Sequence, residues 1–142
     1  MIKISKGLDL PISGTPAASI SDEPKSTSVS ILGNDFIGMK PTMLVKVGDQ
    51  VMAGQKIFED KKNFGVFYTS PAGGQIKSIN RGDKRKFLSV EIDISNREEF
   101  INFQLFNSQD EIKKSILDSG LWNAFRTRPF NRTPSVDSNP DA

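Results

Sequence analysis

The residues best equipped to meet a partner or a ligand stand together late in the chain, in Leu121-Trp122-Asn123-Ala124-Phe125-Arg126-Thr127-Arg128-Pro129-Phe130-Asn131-Arg132. Trp122 is the only tryptophan, and Phe125 and Phe130 interleave with Arg126 and Arg128. Aromatic rings and guanidinium groups are enriched at protein interfaces, where the ring fills a pocket and the planar fork makes directed hydrogen bonds. Trp122, Phe125, Arg126, Arg128 and Phe130 are therefore the candidate interface residues. Packing at the end of a helix is the competing reading.

Other chemistry is scarce. The chain has no cysteine and no histidine, which removes thiolate nucleophiles, thiolate metal or iron–sulfur ligation, His-based zinc sites and hydrolytic triads. Neither G-x-G-x-x-G nor G-x-x-x-x-G-K-[ST] occurs, and the glycines lead into strands, so no helix N-terminus is set up to cradle phosphate. Asp35, Asp49, Asp83 and the adjacent Glu59-Asp60 read as solvated or turn-capping carboxylates. The basic groups at Lys61-Lys62 and from Arg81 to Lys86 read as solvated surface charge. No catalytic, cofactor-binding or metal-ligating residue is expected.

At 142 residues the chain fits one domain with a short appendage and can bury a core without disulfides. Its 19 basic and 17 acidic residues leave a net charge of +2, too weak a field for a protein that neutralises many phosphates, so nucleic acid is not an expected partner. No apolar run approaches the roughly 20 residues of a membrane span. The opening Met1-Ile2-Lys3-Ile4-Ser5-Lys6 alternates like a strand and lacks the apolar core of a signal peptide, which points to a cytoplasmic chain.

The elements that must position these residues are mostly strands. Gly7, Pro11, Gly14, Pro16, Pro24, Gly33, Gly38 and Pro41 break the first forty residues into short extended pieces, with a polar loop at 19–28. From 42 to 94 short β-type runs follow: Met43 to Val47, Lys56 to Glu59, Val66 to Thr69, Gln75 to Ile79 and Phe87 to Ile94. Their period-2 alternation and close spacing predict a barrel or sandwich. Val45-Lys46-Val47-Gly48-Asp49 is echoed by Ile79-Asn80-Arg81-Gly82-Asp83. In this reading Gly48, Asp49, Gly82 and Asp83 form two strand-ending turns, glycine supplying positive φ and aspartate binding local N–H groups.

One helix is expected. Ser108 and Glu111 make a capping box, Asp110 and Glu111 place negative charge in the first turn, and Gly120 supplies the stop. Ile112, Ile116 and Leu117 share a face that should pack on the strands. Residues 133–142 are too poor in apolar side chains to form a core, which predicts an extended or disordered linker towards a missing downstream domain.

Val45-Lys46-Val47-Gly48-Asp49-Gln50-Val51-Met52-Ala53-Gly54-Gln55 and Ser70-Pro71-Ala72-Gly73-Gly74-Gln75-Ile76 resemble biotinyl and lipoyl carrier domains. That resemblance implies a barrel-sandwich hybrid. The carriers present their modified lysine as E-x-M-K-M, whereas here the hairpin tip reads Glu59-Asp60-Lys61-Lys62-Asn63-Phe64-Gly65. The missing methionines argue against a biotin or lipoate carrier.

A closer resemblance covers essentially the whole chain. Ile4-Ser5-Lys6-Gly7-Leu8-Asp9-Leu10-Pro11, Gly38-Met39-Lys40-Pro41, Phe58-Glu59-Asp60-Lys61-Lys62-Asn63, Arg81-Gly82-Asp83-Lys84-Arg85 and Ser119-Gly120-Leu121-Trp122 resemble, in order and spacing, the start of the A-subunit family of Na+-translocating NADH:quinone reductases (Nqr). The resemblance implies a mainly β fold, a biotinyl/lipoyl-like barrel-sandwich hybrid with one short C-terminal amphipathic helix. It divides the chain into strands and loops packed on the barrel (1–41), the barrel core (42–107), the helix and aromatic/Arg segment (108–130) and a linker (131–142). It also implies a non-catalytic assembly role in a complex that oxidises NADH, reduces ubiquinone and exports sodium. Flavins and iron–sulfur centres would belong to other subunits, leaving no cofactor in this chain. Partners would be the membrane-embedded subunits of the Nqr complex, the rest of the same polypeptide and ubiquinone, on the cytoplasmic face of the bacterial inner membrane; the family's link with quinone would make Trp122, Phe125, Arg126, Arg128 and Phe130 quinone-proximal, through ring contacts and charged hydrogen bonds. The corresponding segment of an Rnf-type electron-transfer complex is the rival within the same fold.

Overall fold

The computed structural model describes residues 7, 12–20, 26–95, 99–104 and 108–138. Among these, seven strands form two antiparallel sheets. The first sheet has the order β1-β7-β6-β3, from β1 (Ser28–Leu32), β7 (Phe87–Ile94), β6 (Gly74–Arg81) and β3 (Gln50–Val51). The second has the order β2-β4-β5, from β2 (Pro41–Met43), β4 (Lys56–Asp60) and β5 (Phe67–Thr69). Inward residues of both sheets meet in one core: Ile57, Phe58, Val66, Ile76, Val90 and Ile92 are all buried to within 1%. An aromatic line runs through it. Phe58 stacks on Tyr68 at 4.6 Å, and Phe36 and Phe87 meet that pair edge-on at 4.6 and 5.2 Å. The arrangement is the expected mainly β barrel-sandwich, with a single α-helix among the described residues.

The strand expected over 43–47 begins and ends earlier. Pro41, Thr42 and Met43 pair with Asp60, Glu59 and Phe58, and Leu44 N–H adds one bond to the Ile57 carbonyl. The chain then leaves the sheet because the Lys46 N–H is captured by the Asp49 carboxylate at 2.9 Å, an aspartate turn that competes with the ladder. Gly48 has φ 93° there, as the turn reading requires. Gly82 does not: its φ is −96°, and Lys84 and Arg85 carry the positive φ values, 52° and 61°. The two Gly-Asp corners thus differ in kind. The first passes the chain from one sheet to the other, the second closes the β6–β7 hairpin within one sheet, and the sequence echo is not a structural one.

The helix forms where its signals place it. In α1 (Gln109–Asp118) the Ser108 side chain accepts the Glu111 N–H and donates to the Glu111 carboxylate at 2.6 Å. Gly120 follows in the left-handed conformation, φ 78°. A side chain there would also collide with Thr69, whose methyl and hydroxyl would lie 2.8 Å from a Cβ. Ile116 and Leu117 pack against the core, but Ile112 is 43% exposed, contrary to expectation. The helix meets the barrel by its C-terminal end, where the Thr69 hydroxyl donates to the Ser119 carbonyl, so a residue more than a turn upstream lies clear of the strands.

The segment after the aromatic/Arg run departs from the expected linker. Residues 133–138 are not a free linker: Val136 packs against the core, and the Pro134 carbonyl accepts from Asn63 Nδ2 at 2.7 Å and Trp122 Nε1 at 3.1 Å. Hydrogen bonds to its backbone hold it where apolar composition alone would not. The remainder of the expected linker (139–142), the N-terminal strand at 1–6 and the centre of the polar loop (21–25) lie outside the described residues.

Candidate functional site

The structure separates the five candidate residues of the aromatic/Arg segment into three environments. Trp122, in a short 3-10 turn at Leu121–Ala124, is a core residue, 8% exposed. Its indole N–H is spent on Pro134, and its ring meets Phe125 edge-on at 5.3 Å. Packing at a helix end is therefore the role its surroundings give it. Arg126 is half-buried: Nη1 donates to the Thr133 hydroxyl at 3.0 Å, Nη2 to the Asp35 carbonyl at 3.4 Å, and the guanidinium lies 5.3 Å from the Phe36 ring centre. It clamps the returning segment to the loop after β1.

Phe125 is the member of the cluster that keeps both a core contact and an open face, being 49% exposed. It lines a largely apolar groove of about 540 Å³ with Trp122, Arg126, Lys113 and Pro134. Arg128 and Phe130 do not join that groove. They sit on an exposed loop closed by the Thr127–Arg132 bridge, Phe130 at 69% exposure.

A second polar centre escapes the sequence reading. Asp60, at the end of β4, is 6% exposed, and its Oδ1 accepts the backbone N–H groups of Lys40 and Lys62, each at 3.0 Å. The carboxylate is a turn cap, as expected of it, but an inward one that joins the 33–41 loop to the hairpin. Nearby Tyr68 is 1% exposed, and its hydroxyl lies beside the Thr133 hydroxyl without forming a hydrogen bond of good geometry to any described residue. Burial raises its pKa, with help from the Asp60 charge and against the opposing influence of the Thr133 hydroxyl and Arg126. Part of the signal is in the sequence: Phe58 and Asp60 alternate onto the same inward face of β4.

Comparison with known proteins bears directly on this fold. Residues 2–95 match the family model described as the NqrA N-terminal barrel-sandwich hybrid domain, and residues 107–142 match the NqrA second alpha/beta domain. The chain belongs to the NqrA family. Among its NqrA relatives, the A-subunit of the Na(+)-translocating NADH-quinone reductase of Photorhabdus laumondii is 49% identical over 100% of this chain. The same proteins of Psychromonas ingrahamii and Hahella chejuensis are 50% and 49% identical over 99% of it. The chain spans about a third of the length of these curated relatives, 33% of each.

The carrier and Rnf-type readings are not favoured by this membership. In the NqrA barrel the hairpin tip keeps Lys61 and Lys62 exposed, and its turn is fixed from inside, the Glu59 carboxylate accepting the Gly65 N–H at 2.8 Å. The helix lies within the second match and docks on β4 and β5 of the first through the Lys56–Asp118 pair and the Thr69–Ser119 hydrogen bond. No described helix is long and apolar enough to cross a membrane.

Proposed function

We propose that this chain is a non-catalytic structural segment of the NqrA polypeptide of a Na+-translocating NADH:quinone reductase, contributing to assembly of a complex that couples NADH oxidation and quinone reduction to sodium export. Membership of the NqrA family supports the complex. The observation that carries the assembly role is Phe125, held by Trp122 on one side and open on the other, beside a 540 Å³ apolar groove. A ring anchored by a buried neighbour and offered to solvent is the kind of contact that dominates protein interfaces.

The boundary expected at residue 41 gives way here, because β1 pairs with β7 inside the first sheet; in this reading the barrel extends from β1 to β7, and the helix and aromatic segment, which fall within the second alpha/beta match, form the seam between the two units. The groove is covered by the rest of the NqrA polypeptide or by a neighbouring, membrane-embedded protein of the complex on the cytoplasmic face of the inner membrane. Flavins and iron–sulfur centres belong to those other subunits, and no nucleic acid takes part. The test is co-purification of the complex carrying Phe125→Ala or Phe130→Ala. Phe125→Ala lowers recovery of the neighbouring subunits; full recovery from both variants contradicts the reading.

The groove also admits a quinone ring as a second reading, because its lining is apolar and carries Arg126 and Lys113 at its edge. A photoreactive quinone would then label Phe125 or its neighbours in the assembled complex. Labelling confined to other subunits rejects it.

A further inference from the structure

The hairpin between β6 and β7 carries Arg81, Lys84, Arg85 and Lys86 with one acid, Asp83. Between this hairpin and the 33–41 loop lies a groove of about 460 Å³, lined by five cations, those four and Lys40, and by no carboxylate. None of the five forms an ion pair with another described residue. The tip is held in shape rather than loose. Gly82 N–H donates to the Lys86 carbonyl at 2.8 Å, Arg85 N–H to Gly82 at 3.1 Å and Lys86 N–H to Asp83 at 3.0 Å. These bonds keep Lys84 and Arg85 in a left-handed backbone that non-glycine residues seldom adopt. Like charges crowded on a fixed tip raise the local positive potential, which the single Asp83 offsets only in part. The other wall is apolar: Phe36, Ile37, Met39 and Phe87 line it, and Ile37 is 50% exposed.

We propose that this groove seats the phosphate of an anionic phospholipid head group, so that the barrel touches a membrane surface through the β6–β7 hairpin. Guanidinium and ammonium groups give the phosphate charge-assisted hydrogen bonds. The apolar wall then faces the glycerol and the start of the acyl chains. A free inorganic phosphate leaves that wall uncovered, and an acidic peptide calls for cations spaced along a track rather than gathered on one hairpin tip. Clusters of basic residues next to an anionic surface act additively and over a short, salt-sensitive range. The proposal stands on this charge arrangement and does not depend on how the reductase complex is assembled.

The test is co-sedimentation of the chain with vesicles of phosphatidylcholine alone or mixed with phosphatidylglycerol, with circular dichroism to confirm the fold of each variant. The chain sediments with the mixed vesicles only, and less so as salt rises. Lys84→Glu combined with Arg85→Glu weakens this at least ~10-fold, and Ile37→Ser weakens it further by a smaller factor. Lys46→Glu combined with Lys114→Glu, the same charge change elsewhere, alters it by less than about threefold. Three results overturn the proposal: no dependence on phosphatidylglycerol, equal loss in the two charge-reversed pairs, or binding of inorganic phosphate or a poly-glutamate peptide without binding of vesicles.

Discussion

The Lys56 ammonium on β4 lies 2.7 Å from the Asp118 carboxylate in the last turn of α1, and among the described residues it is the ion pair that joins the barrel to the helix. The last turn of α1 has no basic residue of its own, although the free carbonyls there carry partial negative charge that a cation stabilises. Lys56 supplies that cation from the neighbouring sheet. It also sits 3.9 Å over the Phe67 ring, which fixes its stem while the head reaches the helix.

Replacing Lys56 with Met should therefore loosen the helix more than the barrel. Both partners are about a third or more exposed, at 34% and 46%, so the pair is worth about 0.5 kcal/mol rather than a buried-pair value. Amide hydrogen exchange checks it: residues of α1 exchange faster in Lys56→Met while β6 and β7 keep their rates. Asp118→Asn gives the same pattern, and the double variant adds little to either.

Tyr68→Phe should change stability by no more than about 1 kcal/mol, because the buried hydroxyl it removes has Thr133 beside it but no hydrogen bond of good geometry among the described residues. Tyr68→Ala should cost about 3–5 kcal/mol by opening a cavity against Phe36 and Phe58. The raised phenol pKa adds a pH signature. The folded state holds the neutral form, so this contribution is intact below the ordinary tyrosine value of 10.0 and is lost as pH climbs from there towards the folded value. Tyr68 is the only tyrosine, so phenolate absorbance reports it alone. The difference between parent and Tyr68→Phe stability curves should change only in alkali.

Asp60→Ala should destabilise by about 2–3 kcal/mol, since two backbone N–H groups lose one charged acceptor. Asp60→Asn, which keeps a carbonyl at that place, should recover roughly half of the loss. Urea midpoints of the two variants decide between a capping role and simple surface charge, for which both would match the parent.

Lys77 and Glu91 give the acid-side counterpart. Lys77 occupies the irregularity between the Ile76–Ile92 and Ser78–Glu91 pairs and reaches Glu91 at 3.0 Å and Asp93 at 3.3 Å. Hydrogen bonding from Lys77 lowers the Glu91 pKa from the ordinary 4.5. A lowered carboxyl contributes stability above that value and loses it as pH falls through the folded pKa. NMR titration of Lys77→Met should find Glu91 moved up towards 4.5, with the acid limb of the stability curve losing its dependence on that group.

Most of the strand plan can be read from alternation, because β5 and the first half of β6 each bury one set of side chains and turn formers mark the strand ends; β4 breaks the rule at a bulge, where the adjacent Ile57 and Phe58 are both buried. Phe87–Ile94 is legible to the residue, and the capping box and Gly120 bracket α1. The pattern misleads where a local side-chain bond overrules it. Val45 and Val47 look like strand residues, yet Asp49 pulls their neighbour Lys46 into a turn. Gly82 repeats the sequence of Gly48 without its conformation, because the strained angles move two and three residues along to Lys84 and Arg85. For the candidate site the limit is different. Composition groups Trp122, Phe125 and Arg126, but only tertiary contacts reveal that Trp122 faces inward, that Phe125 is open, and that a carbonyl as unremarkable as Pro134 satisfies the indole.

That carbonyl has a mechanical meaning. Pro134 is grasped at once by Asn63, from the tip between β4 and β5, and by Trp122, from the seam beyond the helix. The β4–β5 tip and the chain's own return at Pro134 are thereby tied to one another and to the indole, so that displacing any one of the three breaks at least one bond to the others.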